Sequence, residues 1–261
     1  MSDLTITTIQ SNIHWEDVNA NLKMLEEKIF SIQEKTEVII LPEMFSTGFS
    51  NNTTLAESMN GTTLQWMLDI AARKKIVLIG SVMIKENDRF YNRCFCVLPN
   101  GQFGKYDKRH LFPLSKENEH FEPGNKRLIC SVKGWKLHIQ ICYDLRFPVW
   151  ARQQPGNDHP EYDVFINIAN WPSKRIAHWK TLLQARAIEN QCYAIGVNRV
   201  GTDGYKTIYN GNTSIYSPLG EVIYQKEKEE AVFTTTFTKK DLENVRTSLP
   251  YLQDADEFSI H

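Results

Sequence analysis

The stretch Glu37-Val38-Ile39-Ile40-Leu41 is an almost unbroken apolar run that stops at Pro42-Glu43, and it restricts the fold more than any other feature. A run so short and so apolar reads as a strand covered on both faces. Ahead of it, Leu4-Thr5-Ile6-Thr7-Thr8-Ile9 reads as a strand. Residues 15–35 read as an amphipathic helix, with Val18, Leu22, Leu25, Ile29 and Ile32 at helical spacing. Strand, helix and buried strand together open a βαβ unit, which requires a sheet with helices packed against it.

The pattern then changes character. A second helix over residues 62–74 precedes strands at 76–83 and 91–98, and Asn100-Gly101 marks a hairpin. Lys133-Gly134 marks a second hairpin, between 128–132 and 135–141, and Ser217-Pro218-Leu219-Gly220 a third. Residues 162–169 form a strand, 173–191 a helix and 193–198 another strand. The segment 108–126 lacks a clear period and reads as a long surface loop, a kind of segment that tends to carry function. Residues 241–261 lack the pattern of a core element. Their apolar side chains are expected to dock on the core or on a second subunit.

These units predict an α/β sandwich with mixed sheets and helices outside. At 261 residues, with 41% hydrophobic and 23% charged residues, one core and a single domain over 1–261 is the expectation. The net charge of -1, without a Lys/Arg-rich stripe, argues against a nucleic-acid partner. No apolar run approaches the ~20 residues of a membrane span. The N-terminal Met1-Ser2-Asp3-Leu4 enters a strand without a leader pattern, so the expected location is cytoplasmic, with no membrane partner. The odd count of five cysteines fits a reducing compartment.

Cys142 has the most informative surroundings of the five. It ends the strand Lys136-Leu137-His138-Ile139-Gln140-Ile141 and precedes a turn into a helix, where unpaired N–H groups favour a thiolate. The alternative is a buried, inert cysteine. Cys94 and Cys96 are assigned to opposite faces of one strand, Cys130 to a short apolar strand, and Cys192 to the residue after a helix; all four fit the inert description. The spacing predicts no metal site. Glu43 and Lys108 each stand at a strand end, where ligand sites of α/β folds gather, although a solvated side chain is the ordinary outcome for either. Neither glycine-containing stretch, at 101–105 or 201–206, has the spacing of a phosphate loop, so no nucleotide is expected.

Three segments, Leu41-Pro42-Glu43-Met44-Phe45, Tyr106-Asp107-Lys108-Arg109-His110-Leu111-Phe112 and Ile141-Cys142-Tyr143-Asp144-Leu145-Arg146-Phe147-Pro148, resemble in sequence and order the signature segments of the nitrilase superfamily. Asn170-Trp171-Pro172, residues 178–191 and Asn198-Arg199-Val200-Gly201 resemble its omega-amidase branch. The resemblance implies a four-layer αββα sandwich, at least a homodimer, no cofactor, and a Glu43, Lys108, Cys142 catalytic set supported by a second glutamate. Counting back from Phe121-Glu122-Pro123-Gly124 places that glutamate at Glu117, with Glu119 as the competing assignment.

The implied reaction is ammonia release from the omega-amide of a short dicarboxylate such as 2-oxoglutaramate, 2-oxosuccinamate or succinamate, through a cysteine thioester. Tyr143, Trp171 and Arg175 are expected to bind this small-molecule amide. Arg175 would grip its carboxylate, with Arg146 and Arg199 as alternatives. Competing readings are an N-carbamoyl or other amide hydrolase of the superfamily, a thiol hydrolase pairing Cys142 with His110, His120 or His178, and a catalytically silent binding protein of this fold.

Overall fold

The computed structural model describes residues 2–153 and 160–260. Five strands come first: β1 (Leu4–Gln10), β2 (Val38–Ile40), β3 (Val77–Glu86), β4 (Arg89–Val97) and β5 (Phe103–Asp107). Two helices, α1 (Val18–Ser31) and α2 (Thr62–Lys74), interrupt them. After the short α3 (Glu117–His120) come β6 (Leu128–Val132), β7 (Trp135–Ile141), the short α4 (Pro148–Ala151) and β8 (Val164–Ile168). The chain continues through α5 (Ile176–Asn190), β9 (Tyr193–Val197), β10 (Val200–Thr202), β11 (Ile208–Tyr216), β12 (Val222–Glu227), β13 (Ala231–Phe237) and α6 (Lys239–Ser248).

The first sheet has six strands in the order β13-β1-β2-β3-β4-β5, and the second has seven, in the order β10-β11-β9-β8-β7-β6 with β12 paired to β11. β1, β2 and β3 are parallel, whereas β3, β4 and β5 form an antiparallel meander. Two reversals return β5 to the direction of β2, so their C-terminal ends share one edge. β7, β8 and β9 are likewise parallel. All three hairpins expected from turn residues pair as antiparallel neighbours.

Alternation along the strands sorts the apolar residues into layers. Val38 and Ile40 face inward to a core shared with Leu137, Ile139, Ile166 and Ile195 of the second sheet. Ile39 faces outward and packs with Leu25 and Ile29 of α1 and with Met67 and Ile70 of α2. On the far side, Phe165 and Ala194 pack against Trp179 and Leu183 of α5. Two sheets face to face with helices on both outer surfaces make the expected αββα sandwich. Residues 38–41 are apolar throughout because they serve two cores, Val38 and Ile40 one and Ile39 and Leu41 the other.

Several expectations are corrected. The first helix is shorter than 15–35, because the Asp17 side chain caps Ala20 N at 3.0 Å and Ile32 is already extended. Cys94 and Cys96 share the inward face and pack in one cluster with Cys130, as the two-residue period of a strand requires. Beyond residue 238 the chain is not devoid of core structure: α6 buries Leu242 completely between the sheets, and Arg246 binds Asp163 at 2.9 Å. A single buried leucine in a strongly charged segment leaves too weak a periodic signal to read. Among the described residues, no helix is long and apolar enough to cross a membrane.

Candidate active site

The expected residues arrive at one place because the two sheets present strand ends along a common edge. Glu43 lies three residues beyond β2, where Leu41 N still donates to Ile79 O at 2.8 Å and Met44 N donates to Ser81 Oγ at 2.8 Å. Lys108 comes directly after β5, and its N–H donates to Asn92 O at 3.0 Å, extending the pairing with β4 by one step. Cys142 comes directly after β7 at a φ of 45°, a left-handed conformation that costs a β-carbon residue about 1–3 kcal/mol and turns the chain sharply.

The turn is held by Asp144. Its buried carboxylate accepts from Ile141 N at 3.1 Å, Tyr106 OH at 2.7 Å, and both His110 N and His110 Nδ1 at 2.8 Å. Tyr106 belongs to β5 and Asp144 lies just past β7, so this carboxylate ties the cysteine turn to the lysine segment across the sheets. His110 also stacks on Phe147 with ring centroids 3.7 Å apart. His178 Nδ1 meets Arg146 at 3.2 Å, and His120 is exposed. The hydrogen bonds of His110 and His178 are thus to residues other than Cys142, which removes support from a pair with either of them.

Glu43, Lys108 and Glu117 are fully buried and form one cluster. Lys108 Nζ donates to Glu43 Oε1 at 2.9 Å and to Glu117 Oε1 and Oε2 at 3.0 and 2.9 Å. Glu117 Oε2 also accepts from Phe112 N at 2.7 Å, and Glu43 Oε2 from Asn170 N at 2.8 Å. Glu119 instead points to solvent, 57% exposed, with Lys116 at 3.8 Å. The segment 108–126 is accordingly no plain surface loop. It carries a 3₁₀ turn at Pro113–Ser115 and the single turn α3, and its base is buried under charge pairing that no apolar period could reveal.

Burial opposes the Lys108 ammonium, but Glu117 and Glu43 outweigh it and raise its pKa above the ordinary lysine value. Burial, reinforced by Glu43 and opposed by Lys108, raises the Glu117 carboxyl. The Cys142 thiol is raised well above the usual range by burial and by Glu43, against the pull of Lys108. This corrects the expectation that a helix N-terminus favours the thiolate. The cysteine opens a 3₁₀ turn, Cys142–Arg146, too short for a helix dipole, and the nearby carboxylates dominate. The thiol donates to Asn170 O at 3.9 Å.

A cavity of about 1030 Å³ opens in front of Cys142, and Tyr143, Trp171, Arg146 and Arg175 help to line it. Arg175 lies over the Phe112 ring at 5.2 Å, and Arg146 over Trp171 at 4.7 Å. Burial and the neighbouring Arg175 lower the Arg146 pKa. Trp171 is fixed by its N–H on Asn198 Oδ1 and its indole on Arg175 O, both at 2.8 Å. Arg199 is elsewhere: fully buried, it donates to Ile13 O at 2.9 Å and Val200 O at 3.1 Å and does not line the cavity. Its candidacy as a carboxylate ligand is therefore withdrawn.

Two buried asparagines escape a reading of the sequence. Asn170 stands in a family-like motif that assigns it no role, yet its amide also donates to Glu43 O at 2.7 Å. Asn92 donates to both glutamates. An asparagine inside the apolar strand 91–98 is a poor strand former, and that is the available signal. Among the described residues, no group of three or more His, Cys, Asp or Glu side chains is placed to hold a metal ion.

The family model described as carbon-nitrogen hydrolase matches residues 5–247. The chain is 39% identical over 259 residues to the omega-amidase YafV of Yersinia enterocolitica, covering 99% of both. It is 31% identical to the 2-oxoglutaramate amidase of Bacillus subtilis, covering 96% of both. XC1258 from Xanthomonas campestris, a CN-hydrolase superfamily protein with an arsenic adduct in its active site, matches with a TM-score of 0.98 at 37% identity over the whole of both chains.

Proposed function

The chain belongs to the carbon–nitrogen hydrolase family of the nitrilase superfamily, and from that premise we propose that it cleaves the omega-amide of a short dicarboxylate through a thioester on Cys142. The observation that carries this reading is a single cavity holding the Cys142 thiol and two guanidinium groups, with the Glu43, Lys108, Glu117 cluster buried beside the thiol. The names of the relatives, omega-amidase and 2-oxoglutaramate amidase, support the same substrate class.

An amide is a weak electrophile with a poor leaving group, so nucleophile, acid and oxyanion stabiliser are all required. Because the resting thiol is neutral, Glu43 takes its proton as the sulfur attacks the amide carbon. Lys108 and the Tyr143 N–H stabilise the resulting oxyanion. Collapse breaks the C–N bond, and Glu43 passes its proton to the departing nitrogen, releasing ammonia. Glu43 then removes a proton from water, which attacks the thioester; the C–S bond breaks and the proton returns to sulfur. Glu117 holds Lys108 in place throughout.

The distal carboxylate of 2-oxoglutaramate, 2-oxosuccinamate or succinamate needs a cationic partner once it leaves water. Arg175 fills that role, with Arg146 beside it. The test is ammonia release across these monoamides, neutral aliphatic amides, nitriles and N-carbamoyl compounds, in the wild type and Arg175→Ala. Arg175→Ala should lower kcat/KM for 2-oxoglutaramate about 100-fold and that for propionamide less than about 3-fold. Equal losses on both, or a wild-type preference for uncharged amides, would reject the assignment.

A further inference from the structure

We propose that Asn92 is a positioning residue of this active site, its one side-chain amide holding Glu43 and Glu117 together and supplying a hydrogen-bond donor to each; the inference rests on Glu43 being the base. Asn92 is fully buried on β4. Its Nδ2 lies 2.8 Å from Glu43 Oε1 and 3.3 Å from Glu117 Oε1, so its two hydrogens serve one glutamate each. Lys108 Nζ reaches the same two oxygens at 2.9 and 3.0 Å, closing a ring of four side chains in which donors and acceptors alternate. Because the Asn92 backbone carbonyl also accepts from Lys108 N, one residue sets the position of all three charged groups.

The chemistry of the amide suits the task. Two buried carboxylates share one ammonium, which leaves one negative charge to be stabilised by neutral donors. An apolar side chain at position 92 would drive Glu43 toward its protonated form, unable to accept the thiol proton. A second cation would hold the carboxylate pKa so low that it no longer works as a base. The neutral NH2 lies between these extremes. It also occupies Glu43 Oε1 together with Lys108, leaving Oε2, whose short donor is Asn170 N alone, to exchange the proton.

The other end of the same amide shows how it is oriented. Asn92 Oδ1 is buried and has no hydrogen-bond partner among the described residues. Here the orientation is dictated by the two glutamates, since turning the amide over would set its oxygen against both carboxylates.

The test compares Asn92→Leu, Asn92→Ser and wild type between about pH 5 and 9, using 2-oxoglutaramate hydrolysis and alkylation of Cys142 by iodoacetamide, which needs no substrate. Circular dichroism reports the folded fraction. Losing both donors in Asn92→Leu should cut kcat about 10- to 100-fold with KM within about 3-fold. The acid limb of kcat/KM and of the alkylation rate should move up by about one pH unit, because the base loses a donor to its ionised form. Asn92→Ser retains one donor and should lie between, so it decides the matter if the leucine variant does not fold. Wild-type acid limbs in a folded variant, or a kcat loss with no movement of either limb, overturn the proposal. Glu43→Gln separates the two levels: if it stays active, the base assignment itself fails, whereas an inactive Glu43→Gln beside unshifted Asn92 variants refutes this inference alone.

Discussion

Lys108→Met offers the most direct probe of the buried charge cluster. Methionine replaces the lysine stem with a chain of similar bulk, so little cavity is left, but the ammonium within 3.0 Å of both carboxylates is gone. Removing one partner of a buried ion pair leaves an uncompensated charge and costs roughly 3–5 kcal/mol. For a chain of this size that corresponds to a loss of roughly 6–20 °C in Tm at pH 8.

The dependence on pH has a definite sign. Without Lys108, the folded-state pKa of Glu117, raised already in the wild type, rises further above its unfolded value. Above the unfolded carboxylate pKa, about 4.3, the folded variant therefore binds more protons than the unfolded chain, and its stability falls as pH rises. The Tm gap to wild type should be widest at pH 8 and shrink by at least half near pH 5. Thermal melts by circular dichroism at several pH values measure it. A gap of the same size at every pH would show that the loss comes from packing and would refute the charge argument. Activity should fall by roughly 1000-fold or more, as the proposed oxyanion stabilisation by the ammonium is lost.

Placement in the fold sets the other expected outcomes. Cys142→Ala should fold and release no ammonia, and intact mass spectrometry of the wild type with a slow amide should find one acyl adduct, at Cys142. Alanine at Cys94, Cys96, Cys130 or Cys192, all buried away from the cavity, should leave the chemistry intact and act on stability alone. Glu117→Gln keeps the shape but removes the charge facing Lys108, and should lower kcat about 100-fold or more; exposed Glu119→Gln should stay within about 2-fold of wild type. A dead Glu119 variant beside an active Glu117 variant would reverse the assignment.

Much of this protein could be read from local pattern. The apolar run at 37–41, the hairpin turns at Asn100-Gly101 and Lys133-Gly134, and the helical spacing from Val18 to Ile32 each arise from short-range sterics and side-chain period. The strand-end positions of Glu43, Lys108 and Cys142 were legible for the same reason, and three ordered segments carried the family. Local pattern could not carry the distinction between Glu117 and Glu119, two residues apart on one short turn, since only the tertiary placement of that turn decides which side chain meets Lys108. Nor could it reveal the state of the Cys142 thiol, because sequence shows the turn beside it but not the carboxylates brought there from the other sheet. Asn92, Asn170 and the linking carboxylate of Asp144 were silent for that reason: a hydrogen bond between residues 49 or 127 positions apart has no period, and its partners meet only when the strands pair within the first sheet, as for Asn92 and Glu43, or when the two sheets pack face to face, as for Asn170 and Glu43.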